Sequence, residues 1–570
     1  MGTAVIAPRR CPRPAVPPQW GWMVQLYALR SRASWGIGDL RDLADLSAWS
    51  GQHGAGFVLC NPLHAASPTV PREPSPYYPS SRRFRDPLML RVDDVPELGR
   101  LGAEARDAVL AAGGSAQVAG GGERIDRDAV AAAKMAALSA LHAAGLDRER
   151  AASYAGFRLQ QGPALEEFAT FCAFAEQHGV PYLKWPDALR HPTASGVAAA
   201  RRALADRVDL HCWLQWLCDE QLAAAQRTAL ESGMPIGLIH DLAVGVDPGG
   251  ADAWALQDDL AQHVAVGAPP DAFAPRGQDW AQPPFRPDRL AATGYRAYRE
   301  VIASVLRHGG GIRVDHALGL FRLYWVPEGA AAADGTYVRY DANALLGILA
   351  LECERAGALA IAEDLGVVPA GVPETLRDWG MYSSAVFWFE RREDNGWRKR
   401  TSDYSRNAFT TVTTHDLPTA AGFWTDSALD VQASLDLVPE GRSVEDARAQ
   451  NEVDREEIRG VLEGEGFLAP GASEADVVSA LQAFVARSRS HLVGIALSDA
   501  VGDTRQPNVP GTRDEYSNWR LPLARTTDSG EAQPVLLEDL LSEPGVDALA
   551  RRLTAERRVS TQGDPVQPAG

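Results

Sequence analysis

Along the chain, short apolar runs alternate with longer stretches whose apolar positions recur every three to four residues. Eight runs stand out: "VQLYAL" near residue 24, "GFVLCNPL" near 56, "PIGLIHDLAV" near 235, "GIRVDHALGL" at 311, "ALAIAEDLGVV" near 358, "SAVFWFE" near 384, "FTTVTTHDLP" near 409 and "LVGIALSD" near 492. Runs that are apolar throughout, rather than at every second position, belong to strands covered on both faces, as in parallel sheets. The intervening stretches, such as "EEFATFCAFAEQHG" and "ALLGILALECERAG", have the period of amphipathic helices. Eight such strands predict an α/β fold of the (β/α)8 barrel type, which needs about 250 residues, so a chain of 570 carries insertions.

The surplus is expected as helical insertion subdomains at about 95–234 and 420–490, with a further insertion at about 244–295. Within the first, "AAGGSAQVAGGGERIDRD" is expected as a mobile, low-complexity loop. The second contains "SVEDARAQNEVDREEIRGVLEGEG", whose charges are assigned to solvated helix faces and to no chemistry. The barrel with its insertions is expected over 19–555, preceded by a flexible segment, 1–18, and followed by a disordered tail, 556–570.

Composition narrows the partners. Lys and Arg number 56 against 74 Asp and Glu, a net charge of -18, which disfavours nucleic acid and anionic membranes and suits a neutral substrate. The six cysteines form no CxxC pair and are read as reduced thiols of a cytoplasmic protein. The start, "MGTAVIAPRRCPRPAVPPQW", lacks the apolar core of a signal peptide, and no run is long enough to span a membrane. Fifteen tryptophans beside six methionines hint at aromatic platforms, although most Trp are packing residues.

Candidate chemistry lies at the ends of the apolar runs, because barrel enzymes place their sites at the C-terminal ends of the strands. There the chain offers His240 and Asp241, Arg313 with Asp315 and His316, Glu363 and Asp364, and His415 and Asp416. Converging carboxylates repel unless one is protonated and others are held by hydrogen bonds or a cation such as Arg313. Glycoside cleavage with retention asks for such a set: a carboxylate nucleophile and a carboxyl acid/base about 5–5.5 Å apart. That chemistry needs no metal or cofactor. A metal site is the competing reading of His and Asp together, but HExxH is absent. Any one of these motifs alone reads equally well as an ion pair or a helix cap.

Asp315 in "GIRVDHALGL", Glu363 in "AEDLG" and Asp416 in "THDLPT" resemble, in that order, the three carboxylate motifs of the α-amylase superfamily. With "VQLYALRSRASWGIGDL", "FVLCNPLHA", "SPYYPSSRR", "DLAVGVDPGGADAW", "GAPPDAFAPRGQDW" and "NVPGTRDEYSNWR", the chain resembles the 4-α-glucanotransferases (amylomaltases, glycoside hydrolase family 77) over residues 21–520. The resemblance implies Asp315 as nucleophile, kept ionised by Arg313, and Glu363 as general acid and then base, with a raised pKa. It implies that Asp416, assisted by His415 and His316, holds sugar hydroxyls at the point of cleavage, that Tyr77 stacks beneath that sugar and that Asp241 lines the pocket floor. Trp280 would lie on a loop covering the cleft and favouring sugar over water as acceptor, and Ser75 and Asp271 would join the substrate-binding set.

Two positions depart from the family pattern: Asp86 stands where Asn is usual and Ala281 where Gly is usual. Both are expected near the cleft. Only about 70 residues follow Asp499, too few for the β-sandwich domain that amylases and branching enzymes generally carry, which favours the glucanotransferase branch. The expected partners are malto-oligosaccharides and α-1,4-glucans, acted on by a monomer or small homo-oligomer. The alternatives are an α-1,4-glucan hydrolase, marked by a water-open cleft with nothing covering it at 267–285, and a catalytically silent glucan-binding protein, which would have no need of three converging carboxylates.

Overall fold

In a computed structural model, which describes residues 4–270, 276–438, 441–527 and 529–562, the eight strands close into one parallel barrel in sequential order. They are β1 (Gln19–Val24), β2 (Phe57–Cys60), β3 (Gly237–Leu242), β4 (Gly311–Val314), β5 (Leu359–Ala362), β6 (Tyr382–Val386), β7 (Ala408–Thr411) and β8 (Leu492–Ala496). Seven coincide with the expected runs. The first begins at Gln19 rather than near residue 24, because Gln19 to Met23 pair with β8 and Gly21 to Val24 with β2. Leu26–Ala28 instead turn as a short 3-10 helix, and the Leu26 N–H donates to the Asn61 side chain at 2.7 Å.

Although the runs are apolar throughout, their two faces do different work. Phe57, Leu59, Ile239, Leu359, Ile361, Tyr382, Phe409 and Leu492 fill the barrel interior, while alternate residues such as Val58, Leu238, Ile312, Val314, Ala360 and Ala362 pack outward against the helices. Gly494 lets the interior close: a Cβ there would lie 2.4 Å from the Phe409 ring and 2.5 Å from the Met23 sulfur.

The first insertion is helical, as expected, and has its own core, with Trp185, Trp213, Trp216, Phe171 and Phe174 buried among helices that include Pro163–His178 and Ala205–Glu231. The segment expected as a mobile loop is largely a helix, Ala103–Gly120. Two of its glycines mark close approach rather than freedom, since a Cβ on Gly113 would meet the Trp35 indole at 2.6 Å and one on Gly120 the Gly36 backbone at 2.0 Å. The insertion after β3 is not purely helical. Val264–Ala268 and Gln278–Gln282 pair with each other and, through Arg322–Pro327 and Thr336–Arg339 from beyond β4, form a four-stranded sheet. The 420–490 region is helical, and its longest helix, Val444–Gly464, is capped by Ser443 and Asp446 and buries only Ile458 and Leu462.

Residues 1–3 and 563–570 of the two terminal segments lie outside the described residues, and parts of the remainder are anchored. Cys11 is buried and its N–H donates to the Trp379 carbonyl at 2.7 Å, while Arg13 donates to the Asn407 side chain at 2.8 Å. At the other end the helix Pro544–Gln562 continues past residue 556, and the Arg557 guanidinium donates to the carbonyls of Ala486, Ser488 and Ser490. All six cysteines are buried free thiols. Among the described residues no single helix is long and apolar enough to cross a membrane.

Candidate active site

Strand parity decides which side chains reach the barrel mouth. Gly311 lies in register with Ile239 on one side and Leu359 on the other, so Arg313 stands level with Asp241 and Ile361 in the next inward layer. One layer further up, just beyond the strand ends, come Asp315 and Glu363. The Asp315 N–H donates to the Leu242 carbonyl (3.2 Å) and the Glu363 N–H to the Val314 carbonyl (3.0 Å), extending the ladder by one step on each side. Residues of opposite parity turn away. His240 is buried with Nε2 3.1 Å from the His308 carbonyl, and burial pushes its pKa down to about 3. Asp364 accepts from the Ser384 N–H at 2.9 Å. His316 adopts φ +48, the left-handed turn that ends the β4 run, and in doing so aims its N–H at Glu363 Oε2 at 2.8 Å. Glu363 Oε1 accepts from the Leu365 N–H at 2.9 Å.

One buried cation ties the acidic groups together. The Arg313 guanidinium donates to both oxygens of Asp241 at 2.8 Å and to Asp315 Oδ1 at 3.0 Å. The Tyr77 hydroxyl donates to Asp241 Oδ2 at 2.7 Å and lies 3.1 Å from His415 Nδ1, its ring stacked on the His415 ring at 4.5 Å. Tyr77 thus links the β3 side of the mouth to the loop after β7. On that loop His415 Nε2 is 3.2 Å from Asp416 Oδ2, and Asn508 donates to Asp416 Oδ1 at 2.6 Å.

These contacts set the protonation states in opposite directions. Burial raises Asp315 to about 6 despite the opposing pull of Arg313, with Asp241 and Glu363 repelling its charge as well. Burial also raises Glu363, against the pull of Arg313 and its two backbone hydrogen bonds. For Asp416 burial is outweighed by the charge and hydrogen bond of His415 and by Asn508, and its pKa is lowered; His415 is correspondingly raised by Asp416 against its own desolvation. Burial lowers His316, which keeps that ring neutral at pH 7.

These groups open into a cleft of about 1090 Å³ that is also lined by Ser75, Trp280 and Trp519. Ser75 accepts the Tyr77 N–H through its hydroxyl at 3.2 Å. Trp280, on the strand Gln278–Gln282, packs edge-on against the His316 ring at 5.2 Å. Asp271 lies outside the described residues. Ala281 has φ +56 beside an irregularity in the pairing of its strand, a backbone that glycine adopts without cost and alanine does not. Asp86, expected near the cleft, instead forms a buried ion pair with Arg72 (2.8 and 2.9 Å) and caps the turn at Leu88, so it belongs to the packing of the helical insertion. Sequence reasoning missed Asn508 and Trp519, although both lie in the quoted "NVPGTRDEYSNWR"; nothing local marks a neutral Asn as the partner of a distant Asp.

Residues 24–527 match the family model described as 4-alpha-glucanotransferase. The chain belongs to the 4-alpha-glucanotransferase family. It is 48% identical over 557 residues to the 4-alpha-glucanotransferase of Mycobacterium tuberculosis H37Rv, covering 94% of this chain and 75% of that one. The Haemophilus influenzae 4-alpha-glucanotransferase is 34% identical over 537 residues, 89% of this chain and 75% of the relative. Among solved structures, amylomaltase from Corynebacterium glutamicum superposes with a TM-score of 0.85 at 39% identity, over 94% of this chain and 75% of that one. The Streptococcus agalactiae amylomaltase solved with acarbose shares the fold, with a TM-score of 0.73 at 18% identity over 95% and 99% of the two chains. The family activity, glucan transfer, is the one the mouth of this barrel has to perform.

Proposed function

We propose that the chain disproportionates malto-oligosaccharides and α-1,4-glucans by double displacement through a β-glucosyl ester on Asp315. Supporting this is the placement of Asp315 and Glu363 on neighbouring strands, one step past in-register Val314 and Ala362, with Arg313 clamping Asp315 from below. In the first step the Asp315 carboxylate attacks the anomeric carbon while Glu363 gives its proton to the departing 4-oxygen. In the second, Glu363 takes the proton of an acceptor 4-hydroxyl, which attacks the same carbon and releases Asp315. With a pKa of about 6, Asp315 is largely ionised at pH 7, and the raised Glu363 keeps more of its proton than a solvated glutamate would.

Asp416, held at one oxygen by Asn508 and near His415 at the other, would accept from sugar hydroxyls, contacts that tighten as the sugar gains positive charge. Tyr77, Asp241, His415 and His316 would shape the floor and walls of that subsite, with Trp280 and Ser75 at its rim. Transfer must outcompete water at about 55 M, which demands a bound acceptor and limited water access. Residence in the cytoplasm fits six cysteines kept as buried thiols.

The test is incubation of the purified protein with maltotriose alone, resolving products by length. A ladder of longer oligosaccharides plus glucose, with constant total reducing ends, is expected. Glucose and maltose with rising reducing ends would make it a hydrolase, and unchanged maltotriose a silent binder. The Asp315→Asn variant should lose turnover; wild-type rates in that variant would remove Asp315 from the nucleophile role.

A further inference from the structure

Three exposed large aromatic side chains are found among the described residues: Tyr337 (40% exposed), Phe389 (49%) and Trp397 (65%). Tyr337 and Phe389 line the cleft; Trp397 does not. It lies on a short hairpin that leaves the cleft wall directly after Phe389. Arg391 and Arg398 pair across the hairpin, the Arg392 N–H donates to the Trp397 carbonyl (2.7 Å), and Gly396 (φ +72) makes the turn. Two residues, one cross-strand step and one further residue separate Phe389 from Trp397, so their Cα atoms are no more than about 16 Å apart.

The hairpin is braced as a support rather than left as a loose loop. Arg391 pairs with Glu457 at 2.9 Å and Arg398 with the same Glu457 at 3.5 Å, anchoring both strands to the helix Val444–Gly464. Lys399 pairs with Glu390 at 2.5 Å, and the Asn395 side chain accepts the Trp397 N–H at 3.0 Å. The indole itself stacks on no ring and meets no cation in the described structure. A stiffly mounted, uncovered indole is a poor use of apolar area unless something stacks on it. A sugar ring does so well, because its apolar C–H face fits an aromatic face while its hydroxyls stay hydrated.

We propose that Trp397 is an outlying binding platform for the same α-glucan chain that occupies the cleft, so that a long glucan leaves the cleft across Phe389 and stacks on Trp397. The platform rests on the glucan-transfer reading of the cleft and adds to it a preference for polymeric over short substrates. Trp397 lies outside the residues that line the cleft, so a maltotriose bound within the cleft is expected to leave it untouched, whereas amylose extends beyond the cleft.

The experiment compares wild type, Trp397→Ala and, as a surface control, Leu159→Ala, whose side chain is 84% exposed on the helix Arg148–Gln161. Affinity for soluble amylose is measured by retardation in native gels, and kcat/KM is measured on maltotriose. Loss of a stacked aromatic typically weakens binding by about tenfold, so Trp397→Ala should lose amylose affinity on that scale with maltotriose kinetics preserved, and Trp397→Phe should recover much of it. Leu159→Ala should change neither. Unchanged amylose affinity in Trp397→Ala would overturn the platform, as would an equal loss on both substrates, which would place the effect inside the cleft. Maltotriose activity surviving Asp315→Asn would instead refute the mechanism and leave the amylose comparison standing.

Discussion

The charge network beneath Asp315 makes Asp241→Asn an informative perturbation. Asp241 and Asp315 share one nitrogen of Arg313, at 2.8 and 3.0 Å, so the oxygens concerned are no more than about 5.8 Å apart. Two carboxylates at about 5 Å in an effective dielectric of 20 to 40 repel by about 1.5–3 kcal/mol, which is between about one and two pH units. Asp241 is one of the groups that raise Asp315 to about 6, and its neutralisation leaves Arg313 to serve Asp315 alone. As the proposed nucleophile Asp315 would work as the anion, so activity should fall as pH drops through its pKa, and the acid limb of kcat/KM, which reports the free enzyme, should lie near pH 6 in the wild type. In Asp241→Asn that limb should move to lower pH by one unit or more. The variant should also be less stable, by about 3 kcal/mol, because a buried ion pair loses one partner while Arg313 keeps the other. The limb position is read from the shape of the profile on maltotriose and is independent of how much enzyme stays folded. An acid limb that stays in place or moves upward would refute the assignment of Asp315 as the group titrating there.

Tyr77→Phe removes a hydrogen bond to the Asp241 carboxylate, worth about 1.5–3 kcal/mol, and should lower both melting temperature and kcat on maltotriose; an unaltered kcat would separate Tyr77 from the reaction. Ala281→Gly relieves a left-handed alanine that costs about 1 kcal/mol, so urea unfolding should show equal or greater stability, and a clear loss would contradict the strain. In the helical insertion, burial would raise Glu176, but His211 and Arg207 outweigh it and lower its pKa to about 2. The resulting stability is complete above the unfolded value of about 4.5 and disappears as pH falls towards 2, so the stability gap between wild type and Glu176→Gln should close over that range; a gap constant with pH would exclude the pairing.

The barrel was legible because eight strands buried on both faces leave uninterrupted apolar runs, and the charged residues breaking those runs at their ends mark the mouth. Parity was the hidden layer: His240 and Asp364 are adjacent in sequence to Asp241 and Glu363 and chemically as apt, yet the strand period turns them away. The first strand was misplaced because Leu26 and Tyr27 are as buried as strand residues, and apolarity reports burial, not backbone form. Gly113 and Gly120 read as flexibility when they serve contact with Trp35 and Gly36. The four-stranded sheet escaped notice because its strands are short and partly exposed, and its two hairpins join each other across more than fifty residues. Asn508 and Trp519 escaped for a related reason, since their partners are set by tertiary approach alone.

That sheet is woven from two different connections, the one after β3 and the one after β4, and Arg322 enters it only six residues beyond His316. The cleft wall and the turn that presents Asp315 are therefore one piece of cloth. An inserted or deleted residue in either connection should be felt in the other, whereas the helices at 420–490 contribute no strand to that sheet. In a lineage of such enzymes, acceptor taste and catalytic strength would pass from parent to descendant as a single heritable unit, and graft experiments between relatives should exchange both connections together.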